Sequence, residues 1–171
     1  MKALNYMLFS FFAFAIVIGC GGEEKKKETP EKVKIKAKKE IKKKEDNIAN
    51  IVLTADDFMK FNKTEIKVKA GQKIKLTLRH IGKMDINTMG HNLVILKKNV
   101  SVALFASKAA VARANGYIPK DSPDIIVHTK LIGGGEIAII EFNAPDVGIY
   151  DFLCTFPAHY ATMRGKFIVE Q

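Results

Sequence analysis

About eight short β-prone runs, separated by Gly, Pro and Asp turns, constrain this chain more than any other feature. They are Ile51–Leu53, Ile66–Val68, Ile74–Leu78, Asn92–Leu96, Ile125–Thr129, Glu136–Phe142, Ile149–Cys154 and Lys166–Val169. Alternation such as Ile66-Lys67-Val68 and Ile74-Lys75-Leu76-Thr77-Leu78 places apolar side chains on one strand face and polar ones on the other. Between those two runs, Ala70-Gly71-Gln72 predicts a hairpin turn. Val102–Ala114 differs: its Ala, Lys and Arg content and apolar spacing predict one helix, stopped by Asn115-Gly116. Strands this short must bury one face against a second layer. The pattern therefore predicts an all-β Greek-key sandwich or barrel with one inserted helix, over residues 47–171.

Two segments of other character precede that domain. Residues 1–20 carry one charge, Lys2, followed by an apolar stretch from Leu8 to Ile18. This is the n-region and h-region pattern of a secretory signal, and it is short for a membrane span. Val17-Ile18-Gly19-Cys20 resembles a bacterial lipobox, in which cleavage precedes the Cys and that Cys carries lipid. An uncleaved signal anchor is the alternative. Residues 21–46 hold eleven Lys against seven Asp plus Glu and no aromatic residue. Such a segment buries too little apolar area to offset its ordering entropy, which predicts a spacer. The whole chain carries +10, which divides as +1, +4 and +5 over the three segments, and has only three Arg. No concentrated basic surface results, and nucleic acid is not an expected partner. The chain is expected in a bacterial cell envelope, periplasmic or at the surface, held to a membrane through lipid on Cys20.

If Cys20 is lipidated, Cys154 is a lone thiol in an oxidising compartment, and metal ligation is the first explanation to test. The end of the chain reads Cys154-Thr-Phe-Pro-Ala-His159-Tyr-Ala-Thr-Met163-Arg-Gly. A thiol, an imidazole and a thioether in one loop after a strand are donors for a soft metal. Two His and one Cys with a weak axial Met make the electron-transfer copper arrangement. Met89-Gly90-His91-Asn92, opening another strand, supplies the second imidazole. His80, at a strand end, reads as a core or supporting histidine, and His128 as a surface one. Taken singly, Cys154 could be a small buried hydrophobe and Met163 ordinary packing.

These motifs resemble the azurins, a family of cupredoxins, over most of residues 51–171. The resemblance rests on Met59-Lys-Phe61-Asn62, similar to an early azurin strand, and on Met89-Gly90-His91-Asn92. It rests also on His128-Thr-Lys-Leu-Ile-Gly133 with Gly135-Glu136, and on Cys154-Thr-Phe-Pro157 with His159 and Met163. It implies that His91, Cys154, His159 and Met163 ligate one copper ion, with the Gly90 carbonyl a weak opposite contact. Asn92 and Phe156 would support the ligand loops and the sulfur. It implies too an apolar electron-transfer patch of Met59, Met84, Met89, Pro157 and Ala158, for which core filling is the alternative reading of the three Met. The chain departs from the family in lacking a disulfide at Ala70-Gly71-Gln72. Ala158 stands where azurins usually have Gly, and Leu93 where they often have Trp.

The expected function is a type 1 copper protein shuttling single electrons. Its transient redox partners would be proteins such as c-type cytochromes or reductases. The edge of His159, in a loop with Pro157 and Ala158, is the expected port. Four protein ligands leave no open position for substrate, so the chain is expected not to be an enzyme. A copper chaperone or buffer of the envelope is the alternative, although such proteins favour exposed Met-rich or multi-Cys sites and only six Met occur. A hydrolase using Cys154 and His159 would need an orienting carboxylate or amide and an oxyanion hole, for which the sequence offers no persuasive candidates.

Overall fold

The computed structural model describes residues 47–171. The signal and lipobox with Cys20, and the Lys-rich spacer, lie outside the described residues. Eight strands form where the alternation predicts them. They are β1 (Ile48–Ala55), β2 (Glu65–Lys69), β3 (Lys73–His80), β4 (Val94–Leu96), β5 (Ile125–His128), β6 (Ile137–Asn143), β7 (Gly148–Leu153) and β8 (Arg164–Glu170). They make two sheets, one in the order β1-β3-β6 and one in the order β2-β8-β7-β4-β5. The β1–β3 and β2–β8 pairs are parallel, and the other pairs are antiparallel.

The inner faces make one core. Ile66 and Val68 of β2 join Ile74, Leu76 and Leu78 of β3, Tyr150 and Phe152 of β7, and Phe167 and Val169 of β8. Each fully buried side chain of this size contributes roughly 1.5–3 kcal/mol relative to exposure. A second cluster lies beneath α2 (Val102–Ala110), where Phe105, Ala106 and Ala109 meet Val94, Leu96, Ile118 and Leu153.

Three sequence expectations are corrected. The Ala70-Gly71-Gln72 turn forms, with Gly71 at φ +77° and the Gln72 N–H on the Lys69 carbonyl at 3.3 Å, but it closes no hairpin. It carries the chain from one sheet to the other, so β2 and β3 face each other across the core. The alternating pattern is the same in both cases, which is why it did not distinguish them. Met59–Asn62 is a turn rather than a strand. The Asp56 carboxylate accepts the N–H groups of Phe58 and Lys60 at 2.9 and 3.2 Å, and Met59 takes φ +56°. Side-chain bonding of this kind outcompetes strand pairing, and only Phe61 keeps a bridge, to Ala55. Finally, the helix ends at Ala110, and a 3-10 turn over Arg113–Asn115 follows, closed by Gly116 at φ +60°. A further short helix, α1 (Ile86–Met89), is capped by the Asp85 carboxylate on the Asn87 N–H at 2.9 Å.

The topology brings the candidate ligands to one end of the described domain. β4 runs antiparallel to β7 with Val94 opposite Leu153. The segment entering β4, which holds His91 and Asn92, therefore lies beside the residues leaving β7, which begin with Cys154. β8 returns antiparallel to β7, with Leu153 opposite Arg164, so residues 154–163 form the connection between them.

Candidate metal centre

Backbone bonding fixes the connection after β7. The Cys154 N–H donates to the Met163 carbonyl at 2.9 Å, extending the β7–β8 ladder by one rung. The N–H groups of Thr162 and Met163 both donate to the His159 carbonyl, at 3.1 and 2.8 Å. Ala158 precedes this 3-10 turn at φ +67°. That left-handed conformation costs an alanine about 1–2 kcal/mol more than a glycine, the residue the azurin resemblance leads one to expect. On the other side, His91 is held by paired N–H and C=O bonds with Ile132 at 2.9 and 2.8 Å.

His91, Cys154 and His159 come together as the one group of three or more His, Cys, Asp or Glu side chains, among the described residues, whose donor atoms converge. These atoms lie within 4.8 Å of one another. The Cys154 Sγ is 3.9 Å from Nδ1 of His91 and 3.7 Å from Nδ1 of His159. Metal bonds of roughly 2.3 Å to sulfur and 2.0 Å to nitrogen, opened to about 120°, would separate those atoms by about 3.7 Å. The spacing therefore fits three ligands of one ion. All three residues are buried, as is Met163. Thiol, imidazole and thioether are the donors a copper ion takes in both its oxidation states.

The imidazoles are oriented by groups on the protein. Nε2 of His91 is 2.9 Å from the Asp56 carbonyl, which can only accept, so Nε2 carries the proton and Nδ1 faces the thiol with its lone pair. Asn92 joins the two sides. Its amide accepts the Thr155 N–H at 2.8 Å and donates to the Thr155 hydroxyl at 2.8 Å and the Gly116 carbonyl at 3.1 Å. The Thr155 hydroxyl in turn donates to the Tyr117 carbonyl at 2.7 Å. Phe156 stacks between Tyr117 and His159, at centroid distances of 5.1 and 4.7 Å. Gly90 is pressed against this wall, for a Cβ there would lie 2.4 Å from the Ile86 carbonyl and 3.0 Å from the Phe156 ring. His80 is buried, and its ring meets that of His91 edge-on at 4.4 Å. Its Nε2 lies 3.1 Å from Oδ1 of Asp57 but is misaligned for a hydrogen bond. His128 is exposed and takes no part.

Sequence reasoning missed Asp56, Asp57 and Thr155. A supporting backbone carbonyl has no residue-type signature, and the adjacent Asp56-Asp57 reads only as a turn. Of the residues expected to form an apolar patch, Pro157 and Ala158 are exposed, Met59 and Met84 are 37% and 45% exposed, and Met89 is half-buried. Phe58, also missed, is 78% exposed next to Met59. His159 itself is only 3% exposed, against 0% for His91, so its ring lies just beneath the surface rather than on it.

Residues 47–170 match the family of copper binding proteins described as plastocyanin/azurin. Azurin-1 of Alcaligenes xylosoxydans xylosoxydans is 35% identical over 120 residues, covering 68% of this chain and 93% of that protein. The outer membrane protein H.8 of Neisseria meningitidis serogroup B is 40% identical over 115 residues, 66% of this chain. The match spans 62% of that protein, just under two thirds of its length. Among solved structures, auracyanin A, a "blue" copper protein from Chloroflexus aurantiacus, superposes with a TM-score of 0.64 at 30% identity. That likeness covers 72% of this chain and 99% of auracyanin A.

Burial sets the protonation of the donors. Desolvation pushes both His91 and His159 down to about 4, and His91 and His80 add repulsion at His159. Desolvation also pushes the Cys154 thiol up to about 11, partly offset by the backbone N–H groups of Asn92 and Phe156. Folded imidazoles thus hold protons less well than unfolded ones. As the pH falls from about 6.5 towards 4, the unfolded chain takes up protons first and the metal-free protein loses stability. Below about 4 the imidazole part of the loss levels off. Asp57, Asp85 and Glu141 are held below the usual carboxylate range by hydrogen bonds, to Lys73 in the case of Glu141, so stability goes on falling as they take up protons. The urea midpoint of metal-free protein should therefore fall between pH 6.5 and 4, with each imidazole contributing at most roughly 3 kcal/mol of the lost unfolding free energy. Removing both imidazoles should flatten the curve.

Proposed function

The chain belongs to the plastocyanin/azurin family of copper-binding proteins, and we propose that His91, Cys154, His159 and Met163 hold its one copper ion, with the Gly90 carbonyl a weak further contact. It is a blue copper protein that carries single electrons between redox partners. Bound copper supplies a one-electron couple between Cu(I) and Cu(II). The observation that carries the ligand assignment is the convergence of two Nδ1 atoms on one buried thiol, at 3.7 and 3.9 Å.

The residues do the rest. The Asp56 carbonyl and the Asn92–Thr155 bonds keep His91 and Cys154 in place whether or not metal is bound. Asn92 and Phe156, whose N–H groups lie towards the sulfur, stabilise it as a thiolate. The thiol gives up its proton when metal binds, whereas His91, with its proton on Nε2, has none on Nδ1 to lose at neutral pH. Four protein donors leave no place for a substrate, so we read the protein as a carrier and not an enzyme. Burial of all four donors also speaks against a copper-transfer role, which needs donors a partner can reach.

Cys154→Ala and Cys154→Ser should each abolish the intense visible band of the Cu(II) protein. A colour surviving in either variant would remove Cys154 from the site. Met163→Leu should keep the band and raise the reduction potential, because loss of a weak axial donor disfavours Cu(II). An unchanged potential would place Met163 in the packing only.

Electrons pass, in this reading, through the edge of His159 under a patch of Met59, Met84, Met89, Pro157 and Ala158, to which Phe58 adds. Redox proteins such as c-type cytochromes or reductases would dock there briefly, since small apolar contacts release quickly. Exposed Lys83 and Arg164 would favour an acidic rim on the partner. Charges set in the patch by Met89→Lys or Ala158→Asp should leave the colour intact and slow electron self-exchange about tenfold or more, in line with lost apolar docking. Exchange at the original rate in both variants would move the port elsewhere.

We further read the chain as envelope-located, exported by residues 1–20 and lipidated on Cys20. The lipobox-like Val17-Ile18-Gly19 supports this, as does the likeness to an outer membrane protein. Mass spectrometry of the mature protein should find a diacyl or triacyl Cys20 at the N-terminus. An intact residue 1–20 segment would rule it out.

A further inference from the structure

We propose that the Asp57 carboxylate is a pin that holds the Asp56 carbonyl against His91, and so fixes which ring nitrogen of His91 faces the metal. The inference rests on the reading of His91 as a copper ligand. It concerns a residue that lies in none of the ligand motifs of the sequence, 32 positions before the first of them.

Asp57 reaches across to a segment 26 residues further on. Its Oδ2 accepts the Lys83 N–H at 2.8 Å, and its Oδ1 accepts the Met84 N–H at 3.3 Å. The carboxylate seats directly on the bare Cα of Gly82. A Cβ at Gly82 would lie 2.1 Å from Oδ1 and 2.3 Å from Cγ, so any larger residue there would expel it. The Asp56 carbonyl and the Asp57 Cα belong to one rigid peptide plane. Whatever fixes Asp57 therefore fixes the carbonyl that receives the His91 Nε2–H at 2.9 Å.

Other bonds in the turn do not supply this. The Met59 N–H donates to the Asp56 carbonyl itself at 3.3 Å, and the Asp56 carboxylate binds the N–H groups of Phe58 and Lys60; these bonds set the turn's internal shape but tie it to nothing beyond itself. The Ile81 N–H on the Ala55 carbonyl at 2.8 Å and the Thr162 hydroxyl on the Met59 carbonyl at 3.0 Å hold its two flanks. Asp57 alone clasps its middle, beside the peptide that matters. It also backs His80, whose ring lies edge-on against His91 and blocks rotation on that side. With the carbonyl in place, the proton stays on Nε2 and the Nδ1 lone pair points at the thiol. With the carbonyl free to drift, the Nδ1–H tautomer becomes populated, and that form has no lone pair on Nδ1 to turn towards Cys154.

The test uses the full chain with Asp57→Ala, Gly82→Ala and the double variant, and Glu141→Ala as a control. Glu141 pairs with Lys73 and Lys75 on the opposite sheet, remote from the ligand loops. Two measurements follow His91 by ¹⁵N NMR: its tautomer in the metal-free protein near neutral pH, and exchange of its Nε2–H in the diamagnetic Cu(I) protein. Both single variants should admit the Nδ1–H tautomer and speed Nε2–H exchange about tenfold or more, as a local opening does. The double variant should add little, since both changes break one contact. His159 signals and the Glu141→Ala protein should match the wild type. Asp57→Asn, which keeps one acceptor oxygen, should fall between and serves if Asp57→Ala does not fold. Wild-type tautomer and exchange in both single variants would overturn the proposal, as would an equal effect from Glu141→Ala. If adding Cu(I) leaves the His91 Nδ1 resonance unmoved in the wild type, it is the ligand reading that fails, whatever the variants show in the metal-free state.

Discussion

The antiparallel ladder between β7 and β8 is the constraint on which the metal end of this molecule depends. It runs from Gly148 opposite Val169 to Leu153 opposite Arg164, and the Cys154–Met163 bond adds the last rung. The thiol and the thioether are therefore placed by strand register, not by the metal. The eight residues between them then have little freedom, because bonds onto the Phe156 and His159 carbonyls fold them into a tight turn. Gly165 permits the ladder to start so close to the loop, for a Cβ there would meet the Thr64 carbonyl at 2.3 Å and the Phe152 ring at 2.4 Å.

A second set of forces converges on the same few atoms. Burial disfavours charge on the thiol and on both imidazoles, which by itself destabilises any metal-binding state of the sulfur. The protein offsets this with oriented dipoles rather than with charged side chains: N–H groups towards the sulfur and a carbonyl behind His91. Dipoles fixed by sheet and turn do not reorganise when one electron arrives or leaves. A charged side chain on a flexible stem would.

Much of this was legible in the residues, and the misses have physical causes. Strand positions followed from alternation because one face of each strand is buried. Cys154, His159 and Met163 stood out because thiol, imidazole and thioether are uncommon and share one loop, and His91 because a second imidazole was wanted and its Met89–Asn92 motif opens another strand. The role of the Gly71 turn was not legible, since β2 and β3 present the same apolar period to a hairpin partner or to a facing sheet. Met59–Asn62 misled for another reason: the Asp56 carboxylate captures backbone N–H groups that a strand would have used. Asp57 and Gly82 were invisible because their contact joins positions 25 residues apart and depends on the absence of a side chain.

The parallel pairing of β2 with β8 has a consequence in time. Glu65 lies opposite Lys166 and Lys69 opposite Glu170, so an early strand finds its only sheet partner in the last one. Contacts separated by about a hundred residues cannot form until nearly the whole chain is available, and such topologies fold slowly. A chain made N-terminus first thus stays open until β8 emerges. Cys154, His159 and Met163, three of the four residues proposed as donors, arrive just before that strand, so the candidate site and the fold are completed together.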